Sequence, residues 1–162
     1  MNSTLAQLNL SRTHWYQLMR ELSEAGGGIR ESGAFLLGRR NPTVCQVFKW
    51  IHYGSLEPNS LHFDYIRLGP EAFTRLWSFC SDLQLEVVAD IHTHPAGPHQ
   101  SPSDKAHPMV AIPGHIALIA PNFAAGRVTP RDVSLNYFLG NGRWRSFLGT
   151  AAEARILLED FP

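Results

Sequence analysis

Apolar positions recur with a helical period early in the chain. Trp15, Leu18, Met19 and Leu22 fall at i, i+3, i+4 and i+7 within residues 13–25, which marks one apolar face of a helix. Ser11 or Thr13 is placed to cap its start, and Gly26-Gly27-Gly28 ends it. The pattern returns at Phe73, Leu76, Trp77 and Cys80. Here Gly69-Pro70-Glu71 opens the helix, because proline fits the first helical position and Glu71 suits the positive end of the dipole. A third helix is predicted over 150–159, with Thr150 as its cap.

Strand patterns lie between these helices. Ile29 to Gly38 is a short apolar run with glycines, read as a buried strand, and residues 43–53 alternate as a second, with Asn41-Pro42 turning between them. Leu61 to Leu68 is a candidate third strand. Residues 85–92 (LEVVADIH) are rich in β-branched side chains and read as a central strand, and residues 115–120 (HIALIA) as another. Residues 133–139 and 144–148 flank Gly140-Asn141-Gly142, a strong hairpin signal. The order predicts one α+β domain of α/β-layered type over residues 1–162, with a mixed β-sheet flanked by helices.

Composition narrows the class. The chain has 162 residues, enough to bury a full core, with 44% hydrophobic and 17% charged residues and a formal net charge of zero. There is no Lys/Arg-rich run and no basic patch interleaved with aromatics, so no nucleic-acid partner is expected. No apolar run has the length of a bilayer span, and no basic segment followed by an apolar one opens the chain. A cytoplasmic protein that does not bind membranes is the expectation. Cys45 and Cys80 sit in apolar segments without a CxxC partner and are expected to be buried free thiols.

The chemistry concentrates between Asp90 and Asp104, DIHTHPAGPHQSPSD. Residues i and i+2 of an extended segment point to one side, so His92 and His94 present two imidazoles to one point at a strand end. Pro95 holds His94 extended. The turn-forming loop after it can bring Asp104 to the same point as an oxygen ligand. Two nitrogens and one carboxylate with an open fourth position form the pattern of a catalytic zinc site. Other metal motifs fail on spacing: no HEXXH helix is present, Ala96 and Gly97 stand where a metallo-β-lactamase places Asp and His, and a TIM barrel needs about 250 residues.

His92-Thr93-His94-Pro95, five residues, and then Ser101-Pro102-Ser103-Asp104 resembles the JAMM motif of the JAB1/MPN/Mov34 metalloproteases. Upstream, Glu31-Ser32-Gly33-Ala34-Phe35-Leu36-Leu37-Gly38 is similar to the glutamate-bearing, glycine-containing strand of that family. The resemblance runs from the first helix through Pro121 and includes His107-Pro108-Met109 and residues 113–119, as in short bacterial members. Many eukaryotic members have one more residue between the second histidine and the serine. Ser101 is preferred over Ser103 because it precedes Asp104 by three.

The resemblance implies a cytidine-deaminase-like MPN/JAB fold and a Zn²⁺ held by His92, His94 and Asp104. It implies Glu31 as the base and then acid of amide hydrolysis, and Ser101 as a hydrogen-bond donor to the developing oxyanion. The implied activity is that of a zinc isopeptidase or peptidase cutting after the C-terminal glycine of a ubiquitin-like protein. The implied setting is a bacterial conjugation pathway with E1- and E2-like proteins, in some cases antiphage. Two alternatives stand beside it: removal of a small adduct from a sulfur-carrier protein tail, and a non-catalytic MPN interaction module. His99, His107 and Asp90 lie close enough in sequence to contact the site, and His115 reads as structural. His14, His52 and His62 have no spacing that recruits them, and Thr93 should point away from the metal.

Overall fold

A computed structural model describes residues 5–160. Met1–Thr4, on which part of the reading of the chain's leading stretch rests, lie outside the described residues. The strands are β1 (Gln7–Ser11), β2 (Gly33–Arg40), β3 (Val44–His52), β4 (Glu86–Thr93), β5 (Ile116–Ala120), β6 (Ser134–Gly140), β7 (Arg143–Phe147) and β8 (Ile156–Glu159). They form one mixed sheet in the order β7-β6-β5-β4-β2-β3-β1-β8. β2 is antiparallel to both β3 and β4, and β4 runs parallel to β5. The helices are α1 (Arg12–Gly26), α2 (Tyr53–Leu56), α3 (Pro70–Leu83), α4 (Pro102–Ala106) and α5 (Thr150–Glu153).

Alternation along β2 assigns the two faces. Ala34 and Leu36 join Trp15, Leu18 and Leu22 of α1 in one core cluster. Phe35 and Leu37 turn the other way and meet Leu76 and Cys80 of α3 in a second. Ser11 caps α1 by accepting from the His14 N–H at 3.0 Å, so the cap is Ser11 and not Thr13. Gly27 closes the helix at φ 60°, where a side chain is disfavoured. Cys45 and Cys80 are free and buried.

Four expectations need correction. The first strand pattern begins to pair only at Gly33, and residues 29–32 form a connection in which Ile29 is 70% exposed. Leu61 to Leu68 is not a strand of the sheet. It folds back on itself through His62 N–H to Tyr65 O, Arg67 N–H to Ser60 O and one isolated bridge, Leu61 to Ile66, so its hydrogen bonds close locally. The predicted C-terminal helix stops at Glu153, and Gly149, not Thr150, occupies its cap position. Ile156–Glu159 then runs as β8, parallel to β1, because pairing the two buries Leu8, Leu10 and Ile156 on the sheet while satisfying both backbones. On α3 the buried stripe is Ala72, Leu76 and Cys80, and Trp77 lies at its margin, 50% exposed.

Two glycines make close packing possible. A Cβ on Gly38 would lie 1.7 Å from the Gln46 carbonyl oxygen, at the register shift in the β2–β3 pairing. A Cβ on Gly33 would lie 2.3 Å from the Tyr53 ring and 2.6 Å from the Ile91 carbonyl oxygen. Gly33 pairs with His92, so this second close approach sits under the end of β4.

Candidate metal centre

β4 carries His92 as its last residue but one, and His94 follows the strand. Their Nε2 atoms stand 3.1 Å apart. Thr93 points to the opposite face, fully buried, and its hydroxyl accepts the Ser32 N–H at 3.0 Å. The Thr93 N–H in turn donates to the Ser32 carbonyl at 2.9 Å, which ties the strand end to the connection that carries Glu31. Glu31 itself is held by its backbone: its N–H donates to the His62 carbonyl at 2.7 Å. Its carboxylate lies 3.8 Å from His94 Nε2, in ion-pair range and beyond hydrogen-bond length. Glu31 therefore precedes β2 by two residues and does not open it.

Ser101 and Asp104 owe their spacing to a capping box. The Ser101 hydroxyl oxygen accepts the Asp104 N–H at 3.0 Å, and Asp104 Oδ2 accepts the Ser101 N–H at 2.8 Å. Pro102 occupies the first turn of α4, where no N–H is needed. The box turns the Asp104 carboxylate back toward β4. Oδ1 lies 3.3 Å from His92 Nε2, and Oδ2 lies 3.0 Å from His94 Nε2.

The donor set fits a metal ion. The three ligand atoms converge within 4.8 Å of one another from half-buried side chains. Ligand atoms at about 2.0–2.1 Å around a tetrahedral ion sit about 3.3 Å apart; the two Nε2 atoms stand 3.1 Å apart, and each has one of the two Asp104 oxygens at 3.0–3.3 Å. The three groups also interact directly with one another. Burial alone would raise the Asp104 carboxyl, but hydrogen bonds from His92 and His94, the His92 charge and the Ser101 N–H outweigh it and hold it well below the usual carboxylate range. Burial pulls His92 down, yet the Asp104 hydrogen bond and the Asp104, Asp90 and Glu31 charges hold it above the usual histidine value. Glu31 moves the other way. Burial pushes its carboxyl up to about 7, against the lowering pull of His92 and His94.

A cavity of about 100 Å³ opens beside these groups, with Glu31, His92, Ser101 and Asp104 in its lining. Ser103 and His107 also line it. His99 does not; it lies at a separate depression with Lys105 and Asn136. Asp90 reaches the cavity from beneath, 2% exposed, and is bound at 2.7 Å by His115 Nε2. His52 pairs with Glu21 at 2.7 Å, and His14 packs on Trp50, both away from the cavity. His62 stacks on Tyr65 and contributes only its carbonyl to Glu31.

Sequence reading missed two parts of the site. Asp64, Tyr65 and Ile66, from the folded-back segment, form one wall of the cavity. Asn122–Ala124 forms a turn with φ of 51°, 54° and 58°, in which the Asn122 N–H donates to the Ala96 carbonyl and the Phe123 N–H to the His94 carbonyl. A left-handed run without glycine leaves no mark in the sequence.

The sequence profile of prokaryotic homologs of the JAB domain matches residues 12–128, well over half of the chain, and the protein belongs to that family. A solution structure from Desulfitobacterium hafniense superposes with a TM-score of 0.70 at 15% identity, covering 95% of this chain and 94% of that one. One from Salinibacter ruber gives 0.61 at 13% identity, covering 94% and 92%. At such identities the likeness is one of fold. Among the described residues no helix is long and apolar enough to cross a membrane.

Proposed function

We propose that this protein is a zinc-dependent isopeptidase or peptidase that hydrolyses the amide bond after the C-terminal glycine of a ubiquitin-like protein. The observation that carries the reading is the meeting of Glu31 with the His92, His94 and Asp104 set. A carboxyl pushed up to about 7 lies 3.8 Å from a ligand nitrogen, inside a cavity that also holds the Ser101 hydroxyl.

Each residue has a task that its geometry suits. His92, His94 and Asp104 would hold the metal. When bound, zinc supplies Lewis-acid polarisation of the scissile carbonyl and acidifies a water molecule. Glu31, its carboxylate 3.8 Å from His94 Nε2, is placed to take a proton and return it to the leaving amine. The Ser101 oxygen is already an acceptor for the Asp104 N–H, so its O–H is free to donate to a developing oxyanion.

The ubiquitin-like substrate, E1- and E2-like partners, a cytoplasmic setting and a part in antiphage defence follow from the family resemblance and belong to this proposal. The test is intact-mass analysis of ubiquitin-like proteins with C-terminal extensions, incubated with the zinc-loaded protein and with Glu31→Gln in parallel. Cleavage after the terminal glycine by the parent alone supports the reading. Release of a small adduct from a sulfur-carrier tail with no cleavage of protein extensions would replace the substrate. Zinc bound with no hydrolysis of any of these would favour an interaction module.

A further inference from the structure

Beneath the ligand set lies an ionisable pair that the hydrolysis does not use. Asp90 stands two residues before His92 on β4, so both side chains leave the same face of the strand, about 6–7 Å apart along it. Asp90 is 2% exposed and His115 1%, and His115 Nε2 meets Asp90 Oδ2 at 2.7 Å. The remaining ring nitrogen, His115 Nδ1, is buried without a partner. The tautomer protonated on Nε2 therefore suits the site: it donates to the carboxylate and leaves a bare lone pair on Nδ1 rather than an unsatisfied N–H.

The pair is an unfavourable choice for stability alone. A buried ion pair or charged hydrogen bond is commonly matched or bettered by well-packed apolar side chains of similar volume. The neighbours at this level of the sheet are Phe35 on β2 and Ala117 on β5, each directly paired with Asp90, so an apolar residue would fit the surroundings. Asp90 also lines the same cavity as Glu31 and Asp104.

A dication accounts for it. Two imidazoles and one carboxylate bring one negative charge to an ion that carries two positive ones. We infer that Asp90, oriented by His115, is a positioning residue whose buried charge strengthens metal binding at His92, His94 and Asp104. The inference rests on the metal-centre reading above. It adds a buried carboxylate on the same face of β4 as His92, two residues before it and held in place by His115. Partners that support metal-binding histidines are typically worth 10–100-fold in affinity.

The experiment is zinc affinity by competition with a chromophoric chelator, on the full chain, with thermal unfolding of each metal-free variant to establish folding. Asp90→Asn keeps the shape and an acceptor for His115 but removes the charge, and is expected to weaken zinc binding about tenfold or more. Asp90→Leu combined with His115→Leu removes both polar groups, leaves no unpaired atom, and is expected to fold while binding zinc as weakly. Glu86→Gln, an exposed carboxylate at the far end of β4, is expected to stay within twofold of the parent. Either Asp90 variant, folded and binding zinc within twofold of the parent, overturns the inference. Asp104→Ala binding zinc as tightly as the parent would instead overturn the metal centre itself.

Discussion

Phe123 donates its backbone N–H to the His94 carbonyl at 2.8 Å, and it does so from φ 54°, in the left-handed region. The neighbouring bonds, His94 N–H to Ala120 O and Asn122 N–H to Ala96 O, clamp the same two segments at 2.9 Å each. The turn thus fixes the backbone of a candidate metal ligand at the expense of local strain. Removing the Phe123 ring while changing only the backbone preference isolates that strain. Phe123→Gly is expected to be more stable than Phe123→Ala by about 1 kcal/mol, the reverse of the order in regular structure. Denaturant unfolding of the two variants decides it, and an alanine variant equal to or above the glycine one would argue against the left-handed turn.

Asp104 serves the helix cap and the ligand set through one carboxylate, so its two roles need separating. Zinc added to the parent is expected to raise the unfolding midpoint, since a ligand at a hundred times its Kd contributes about 2.7 kcal/mol, and chelation should reverse the gain. Asp104→Asn keeps an oxygen for the Ser101 N–H but loses the charge. It should fold and lose most of the zinc-dependent shift. Calorimetry with and without zinc reads both effects, and a full shift in this variant would remove Asp104 from the centre.

What could be read from the sequence follows the range of the interactions. α1, α3 and strands β2 to β7 declare themselves because their periodicity reports burial against a neighbouring layer. The Ser101 to Asp104 spacing is legible for a related reason: a capping box closes within four residues. β1 and β8 are only five and four residues long and depend on each other across the length of the chain, so no local pattern separates Ile156–Glu159 from a continuation of the alanine-rich turn before it. Glu31 stands out only through family resemblance, because what fixes it is a carbonyl from His62 and a strand end at Thr93, both remote in sequence.

Glu31 gives the metal-free protein a pH dependence of definite sign. Its carboxyl is held at about 7 in the fold, above its ordinary value of 4.5, so the folded state keeps a proton that the unfolded chain releases. Its contribution is fully present below pH 4.5 and is lost as pH rises toward 7. Glu31→Gln cannot ionise and escapes that loss. It is expected to match the parent below pH 4.5 and to exceed it above pH 7 by on the order of 1–3 kcal/mol. Urea unfolding across pH 4 to 8 with chelator present measures the gap, and a gap that stays constant with pH would contradict the raised pKa.

Gly33 joins fold and site at one atom. A methyl group there would meet the Tyr53 ring at 2.3 Å and the Ile91 carbonyl at 2.6 Å, and Tyr53 is fully buried with no room to turn aside. Overpacking of this kind costs about 1–3 kcal/mol, and more where backbone must move. Gly33→Ala is expected to destabilise the protein by at least about 2 kcal/mol and, because Gly33 pairs with His92, to weaken zinc binding with it. A variant as stable as the parent would mean that β2 and β4 are not packed this closely.

Ser101 poses the same question as Asp104, whether a residue is present for structure or for chemistry, and glycine answers it. At an N-cap, serine to alanine costs about 1 kcal/mol, whereas serine to glycine costs only a few tenths. Both substitutions remove the hydroxyl. If Ser101 serves only as the cap of α4, hydrolysis by Ser101→Gly should stay near the parent's rate while that of Ser101→Ala falls with its stability. If the O–H also stabilises an oxyanion, both variants should lose about 10²–10³ in kcat, with little change in KM. Under the proposed function the second pattern is expected. The cap already uses the oxygen as an acceptor, which orients the hydroxyl and leaves its proton to be donated.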